Sequence, residues 1–77
     1  MKDEVKSIMA KVFKTNIPRI TEDLKQQDVG FWDSLGHLNL VVELEEKFNI
    51  TFEPEEITDM VTFQKIVHYI NQKINIS

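Results

Sequence analysis

Residues 32–48 read WDSLGHLNLVVELEEKF, and this stretch decides the fold. The polar pair Asp33 and Ser34 stands directly before a dense apolar run that extends from Leu35 to Phe48. Short polar side chains favour a helix start, because they accept hydrogen bonds from first-turn N–H groups that have no intrahelical partner. The pattern therefore predicts a helix over 34–48 with the Ser34 hydroxyl exposed on its first turn and with Asn49 as a left-handed cap at its end.

The apolar residues of this predicted helix cover more than one stripe, which is typical of a central helix with neighbours on several sides. The stripe predicted to face the core contains Leu40, Val41, Leu44 and Phe48. A second stripe contains Leu35, Leu38 and Val42. This second stripe is either further core or an exposed apolar strip, framed by acids, that would suit a protein partner.

Three more helices are predicted, and together they make an all-α four-helix bundle in one domain, residues 1–77. The first spans about 3–15 on the apolar spacing of Val5, Ile8, Met9, Val12 and Phe13. Asn16-Ile17-Pro18 is predicted to end it, because a residue before proline avoids helical dihedral angles. A short third helix spans 54–60, with Pro54 at its first position and acids in its first turn. The fourth begins after the cap Thr62 and extends to about Gln72 or Ile74.

The connection over residues 16–32 is long for a compact domain, so we expect apolar anchors to hold it down. The predicted anchors are Ile17, Ile20 and Leu24, and residues 21–25 can form a helical turn capped by Thr21. Phe31 and Trp32 either pin the loop to the bundle or form an aromatic wall for a ligand tethered nearby.

Charge and composition narrow the classes of partner. The 77 residues carry a net charge of −4 and no cysteine. The acids concentrate in residues 33–61, which contain Asp33, Glu43, Glu45, Glu46, Glu53, Glu55, Glu56 and Asp59 against Lys47 alone. Phosphates and anionic lipid would repel this half, whereas a basic protein surface would be attracted. With no signal region or membrane-length apolar run, we expect a cytoplasmic monomer.

Catalytic and metal-binding patterns are weak in this chain. His37 and His68 are far apart, and Asp33, Ser34 and His37 are too close in sequence to form a triad. The pairs Glu45-Glu46 and Glu55-Glu56 are expected on exposed helix faces. We therefore expect neither an enzyme nor a metal site, and from the residues alone Ser34 is a candidate helix cap beside Asp33.

Several motifs occur in register with a known family. These are Asp33-Ser34-Leu35, the later Leu44-Glu45-Glu46-x-Phe48, an acidic third helix and Thr62-Phe63. The chain resembles the acyl carrier protein family, which includes peptidyl and D-alanyl carriers. The resemblance covers nearly the whole chain and is strongest over residues 32–70.

The resemblance implies that a separate phosphopantetheinyl transferase moves 4′-phosphopantetheine from coenzyme A to Ser34. Asp33 matches the family aspartate that helps to place the metal of the transferase and contacts that enzyme. The thiol of the arm would carry acyl or aminoacyl groups as thioesters. Loading and transfer enzymes with basic docking surfaces would meet an apolar strip and an acidic rim. The matching positions are Leu35, Leu38, Val42, Glu43, Glu45, Glu46, Glu55, Glu56 and Asp59.

Three departures argue against housekeeping fatty acid synthesis, and one of them is that residues 32–38 look more like stand-alone carriers of specialised pathways. Residues 25–32 lengthen the loop between Glu22-Asp23-Leu24 and Asp33, and Gly36 and Asn39 stand where fatty acid carriers usually show acidic or polar residues. Gly36 also weakens the first turn by up to about 1 kcal/mol relative to alanine. We expect a specialised pathway in lipopolysaccharide, polyketide or aminoacyl chemistry. The main alternative is an unmodified helical interaction module, and a small serine hydrolase is a distant third.

Overall fold

The computed structural model describes residues 1–74, and these residues form four helices. Helix α1 spans Lys2–Phe13, α2 spans Ser34–Phe48, α3 spans Pro54–Asp59 and α4 spans Phe63–Ile74. Short 3₁₀ turns at Ile17–Arg19 and Gln26–Asp28 lie in the connection between α1 and α2. Within residues 1–74 the only β-type pairing is an isolated antiparallel bridge between Lys25 and Thr62. The all-α four-helix prediction is confirmed.

The cap residues explain where the helices end. Asn49 adopts the left-handed conformation after α2, as predicted, and the Thr62 hydroxyl accepts a hydrogen bond from Lys65 N–H at 3.0 Å. The predicted end of α1 is wrong by two residues. Lys14, with φ 56°, terminates the helix, and the Thr15 N–H turns back to the Ala10 carbonyl at 2.9 Å. Helix α3 likewise ends at Asp59 rather than at Met60.

One apolar cluster joins the helices and the long connection. Its buried members are Val5, Met9, Ala10, Phe13, Ile20, Leu24, Trp32, Leu40, Val41, Leu44, Phe52, Met60, Phe63, Ile66, Val67 and Ile70. Ile20 and Leu24 anchor the connection as predicted. The prediction for Ile17 is wrong, because half of this side chain is exposed. The 3₁₀ turns also flank residues 21–25 instead of occupying them. A single turn bond joins the Leu24 N–H to the Thr21 carbonyl at 3.2 Å, and the Thr21 hydroxyl donates to Asp23 Oδ1 at 2.6 Å instead of capping a helix.

Candidate functional site

The start of α2 is capped by the residue that precedes Ser34. Asp33 is extended, and its Oδ1 accepts a hydrogen bond from the Gly36 N–H at 2.7 Å. The first intrahelical bond joins the His37 N–H to the Asp33 carbonyl at 2.9 Å. Ser34 is therefore the first helical residue, and its exposed hydroxyl is not needed for the cap.

Gly36 allows α1 to approach this turn closely. A Cβ atom at this position would lie 2.9 Å from Asp33 Oδ1 and 3.0 Å from Cε1 of Phe13. Both distances are shorter than ordinary contacts, so a side chain here would disturb the cap and its neighbour. The glycine that weakens the turn by propensity thus fits the packing of α1 against the start of α2.

An exposed apolar strip follows Ser34 along α2. The exposed fractions of Leu35, Leu38 and Val42 are 70 %, 57 % and 51 %. The opposite face of the helix buries Leu40, Val41 and Leu44 in the core, while Phe48 is half-buried. Of the two interpretations of the second stripe, the exposed strip is confirmed and the additional core is wrong.

The acids near the strip differ in their exposure and in their partners within the protein. Glu46 and Glu55 are exposed, whereas Glu43 pairs with Lys11 at 3.3 Å. Glu45 is half-buried, and its Oε2 accepts the Phe52 N–H at 2.8 Å. The assumption that the pair Glu45-Glu46 is wholly exposed is therefore wrong for Glu45, which ties the end of α2 to the chain before α3.

The acids of α3 are largely occupied by partners within the protein. Glu56, half-buried and not exposed as assumed, accepts the Glu53 N–H at 2.7 Å and pairs with Lys73 of α4 at 2.8 Å. Two further contacts of 2.7 Å join Asp59 to Lys65 Nζ and to the Tyr69 hydroxyl, which both donate to it.

These contacts shift the acid–base equilibria of the residues involved. The Glu53 N–H and then Lys73 lower the pKa of Glu56, because both stabilise its carboxylate. The pKa of Asp59 is lowered by its hydrogen bond from Lys65 and then by that from Tyr69. The same Asp59 contact raises the pKa of Tyr69. The carboxylates of Glu56 and Asp59 are thus stabilised by the same contacts that connect α3 to α4.

Trp32 and His37 form a buried polar contact below the start of α2. Trp32 is 2 % exposed and packs on Phe13 with a ring separation of 5.6 Å, so the packing interpretation is confirmed for Trp32. Its indole Nε1–H donates to His37 Nδ1 at 3.0 Å. This role of His37 was not predicted from the sequence. The signal was available, because His37 precedes Leu40, Val41 and Leu44 by 3, 4 and 7 residues and so shares their buried stripe.

A groove open to solvent runs from Ser34 between α2 and α3. It has a volume of about 290 Å³ and is lined by Gln26, Ser34, His37, Leu38, Ile57, Thr58 and Val61. In the part of the chain that the structure describes, no three His, Cys, Asp or Glu side chains are grouped to hold a metal ion.

None of the helices described here combines the length and the apolar character required to cross a bilayer.

Comparison with known proteins identifies the family. The model of a family described as "phosphopantetheine attachment site" matches residues 3–70. An acyl carrier protein of Wolinella succinogenes is 36 % identical over 69 residues, which cover 88 % of this chain and 90 % of that protein. A D-alanyl carrier protein of Abiotrophia defectiva is 26 % identical over 76 residues, and the match covers 96 % of each chain.

The fold has a counterpart among solved structures. The solution structure of a holo acyl carrier protein from Geobacter metallireducens superposes with a TM-score of 0.83 at 27 % identity. The match covers 95 % of this chain and 84 % of that one. The family match over residues 3–70 shows that the chain belongs to the phosphopantetheine attachment family, as an acyl or aminoacyl carrier and not an enzyme, with covalent 4′-phosphopantetheine as its prosthetic group.

Proposed function

We propose that Ser34 is the residue to which 4′-phosphopantetheine is attached, and that the loaded protein passes thioesters between biosynthetic enzymes. The observation that carries this assignment is the division of roles at the start of α2. Asp33 supplies the cap through Gly36, while Ser34 holds an exposed hydroxyl on the first helical residue.

The local chemistry suits a phosphodiester at this position. The first intrahelical bond begins at His37, so the N–H groups of Ser34 and Leu35 have no carbonyl of α2 as a partner. Such free N–H groups and the positive end of the helix dipole favour a phosphate. When bound, the arm supplies the thiol on which acyl or aminoacyl groups are held.

We propose that Asp33 also contacts the phosphopantetheinyl transferase. Its Oδ1 is occupied by the Gly36 N–H, and a carboxylate has a second oxygen that can face the magnesium ion of that enzyme. Asp33 would then serve both as the helix cap and as a contact for modification. The exposed position of its side chain supports this double role.

The surface that partner enzymes recognise would be the exposed strip of Leu35, Leu38 and Val42, with acids around it. Glu46 and Glu55 are the acids we expect to contribute most to attraction of basic enzymes, because they are exposed. Glu43, Glu45, Glu56 and Asp59 contribute to the negative field while also holding the bundle together. Electrostatic attraction of this type speeds encounter.

We further propose a specialised pathway instead of housekeeping fatty acid synthesis. The D-alanyl carrier protein of Abiotrophia defectiva matches this chain over 96 % of both lengths, which supports aminoacyl transfer as one such pathway. The long connection before α2, together with Gly36 and Asn39, supports the same distinction.

The experiment is intact mass spectrometry after incubation with coenzyme A, magnesium and a broad-specificity phosphopantetheinyl transferase. The wild type should gain the mass of one phosphopantetheine, and Ser34→Ala should gain none. Ser7→Ala is the matched control, because Ser7 is an exposed serine within α1 and its loss should leave loading unchanged. No gain in the wild type with this transferase and with that of the native host would favour the unmodified interaction module.

A further inference from the structure

A chain of three hydrogen-bonded groups crosses the seam between α2 and α3. The Trp32 indole donates to His37 Nδ1 at 3.0 Å, and His37 Nε2 lies 2.8 Å from the Ile57 carbonyl oxygen. An indole N–H can only donate and a carbonyl oxygen can only accept. The two partners therefore fix the imidazole of His37 as the neutral form with its proton on Nε2.

The hydrogen-bonded chain of Trp32, His37 and the Ile57 carbonyl lies directly below Ser34. His37 is one helical turn after Ser34 and is 8 % exposed, and its ring stacks on Trp32 with a centroid separation of 6.0 Å. Leu44 of α2 and Phe52, which precedes α3, are also buried. A group that enters the bundle from Ser34 would have to break the bond to Ile57 and displace two packed rings, which leaves buried polar groups without partners.

The route along the surface is open. The groove beside Ser34 shares Gln26 and Val61 with a second cleft of about 450 Å³, which is also lined by Lys25, Gln27 and Thr62. At these two shared residues the connection before α2 meets the segment between α3 and α4, because the Gln26 N–H donates to the Val61 carbonyl at 2.9 Å. The lining of the second cleft is mostly apolar and also includes the Lys25 ammonium group and two carboxamides, and the cleft is open to solvent.

We propose that the Trp32–His37–Ile57 chain keeps the α2–α3 seam closed, so that cargo on Ser34 stays in the outer groove. This inference rests on the proposed function of Ser34. It names the class of cargo as short or polar acyl and aminoacyl groups, because a long hydrocarbon in an open groove would remain in contact with water. His37 is then a positioning residue that decides where the cargo lies.

The test compares the chemical exposure of two thioesters. The transferase loads the wild type with an acetyl or an octanoyl arm from the matching acyl-coenzyme A, and intact mass confirms loading. Failure to load would be a failure of the proposed function, not of this inference. Hydroxylamine then attacks the thioester carbonyl, forms the hydroxamate and releases the thiol of the arm.

We expect the two thioesters to be cleaved at rates within threefold of each other. A cleavage rate more than threefold lower for the octanoyl form would show that the helical bundle shelters the octanoyl group, and would overturn the proposal. Trp32 is the only tryptophan, so its emission reports on the same chain of groups. That emission should be the same in the acetyl and octanoyl forms, and a shift confined to the octanoyl form would also contradict closure.

Variants test whether His37 is the cause of closure. His37→Ala should open the seam and slow octanoyl cleavage more than threefold, with acetyl cleavage unchanged. Trp32→Phe, which keeps an aromatic ring but removes the donor, should shift octanoyl cleavage in the same direction and covers the case in which His37→Ala loses its helicity. The matched control is His68→Ala, because His68 is exposed on α4. If the acetyl and octanoyl forms of His37→Ala and Trp32→Phe are still cleaved at rates within threefold of each other, the role of His37 is overturned.

A spectroscopic signature tests the chain of groups without any cargo. In a long-range ¹⁵N–¹H spectrum near neutral pH, the His37 ring should give the pattern of a single tautomer protonated on Nε2. A ring protonated on Nδ1 would contradict the bond from Trp32.

Discussion

Helices α2 and α3 line opposite sides of the same groove, and the first turn of each helix uses a carboxylate to satisfy a backbone N–H. At α2 the carboxylate belongs to Asp33, which precedes the helix and binds the Gly36 N–H. At α3 it belongs to Glu56, which lies inside the helix and binds the Glu53 N–H before the helix. The cap of α2 therefore does not involve Ser34, the first residue of that helix, whereas the cap of α3 uses Glu56, an acid of the helix itself.

This difference separates residues that hold the fold from residues available to partners. Glu56 also pairs with Lys73, and Asp59 pairs with Lys65, so two of the acids of α3 form ion pairs with α4. On α2 the free positions are Ser34 and the exposed strip that follows it. Acidity in the sequence alone does not distinguish these two uses, because it does not say which carboxylates have partners.

The largest effect is expected at the tightest point of the α2 start. Gly36→Ala should lower the free energy of unfolding by about 1–3 kcal/mol, because the new Cβ would meet Asp33 Oδ1 at 2.9 Å and Phe13 at 3.0 Å. Helix propensity alone predicts the opposite sign, a gain of up to about 1 kcal/mol. Gly30→Ala is the control, since no atom lies within 4 Å of its Cβ position. Urea unfolding of both variants decides between packing and propensity.

The next effect concerns the acid that links the far end of α2 to the segment before α3. Glu45→Ala should cost about 1–2 kcal/mol of unfolding free energy, because the Phe52 N–H would lose its partner. Glu46→Ala should change stability by less than about 0.5 kcal/mol, since Glu46 is exposed. Glu46→Lys should still slow transferase loading at low salt. Equal stability losses at both positions would remove the distinction between structural and recognition acids.

At Asp33, the effect of the capping hydrogen bond can be measured separately from the effect of the negative charge. Asp33→Ala should cost about 1 kcal/mol in unfolding free energy, whereas Asp33→Asn retains an oxygen that accepts the Gly36 N–H and should cost much less. Both variants lose the negative charge, so both should load more slowly with phosphopantetheine if Asp33 contacts the magnesium of the transferase. Normal loading of Asp33→Asn would restrict Asp33 to the role of a cap.

The smallest effect is the pH response of α3. The pKa values of Glu56 and Asp59 are lowered in the folded protein, so the unfolded chain binds more protons in acid. The stability these groups contribute is therefore present above their unfolded pKa values of about 4 and is lost as the pH falls through their folded values. Glu56→Gln should flatten this loss by a few tenths of a kcal/mol, measured by urea unfolding between about pH 3 and 6. Glu55→Gln should follow the wild-type curve.

Local signals predicted much of the fold. The bounds of α2, the left-handed cap Asn49 and the cap Thr62 follow from residues within a few positions of each helix end. The end of α1 was wrong because Asn16-Ile17-Pro18 suggested a later stop, whereas Lys14 already adopts a left-handed cap. Periodicity predicts the second stripe on α2 but not its exposure, because it does not show what covers a stripe.

Contacts between distant segments account for what the sequence did not predict. The Glu45 bond to Phe52 and the Glu56 pair with Lys73 depend on how α2, α3 and α4 meet. The contact of His37 with the Ile57 carbonyl spans 20 residues, and no local pattern indicates it. The role of Ser34 and the extent of the partner surface remain predictions from the family resemblance and from the geometry of the first turn.

The most direct test of the central claim is to locate the prosthetic group on the chain. The loaded wild type should be digested and the peptide containing residues 33–35 fragmented by tandem mass spectrometry. We predict that the fragment ions place the whole phosphopantetheine mass on Ser34. Added mass on any other residue, or a modified peptide that does not contain Ser34, would contradict the account.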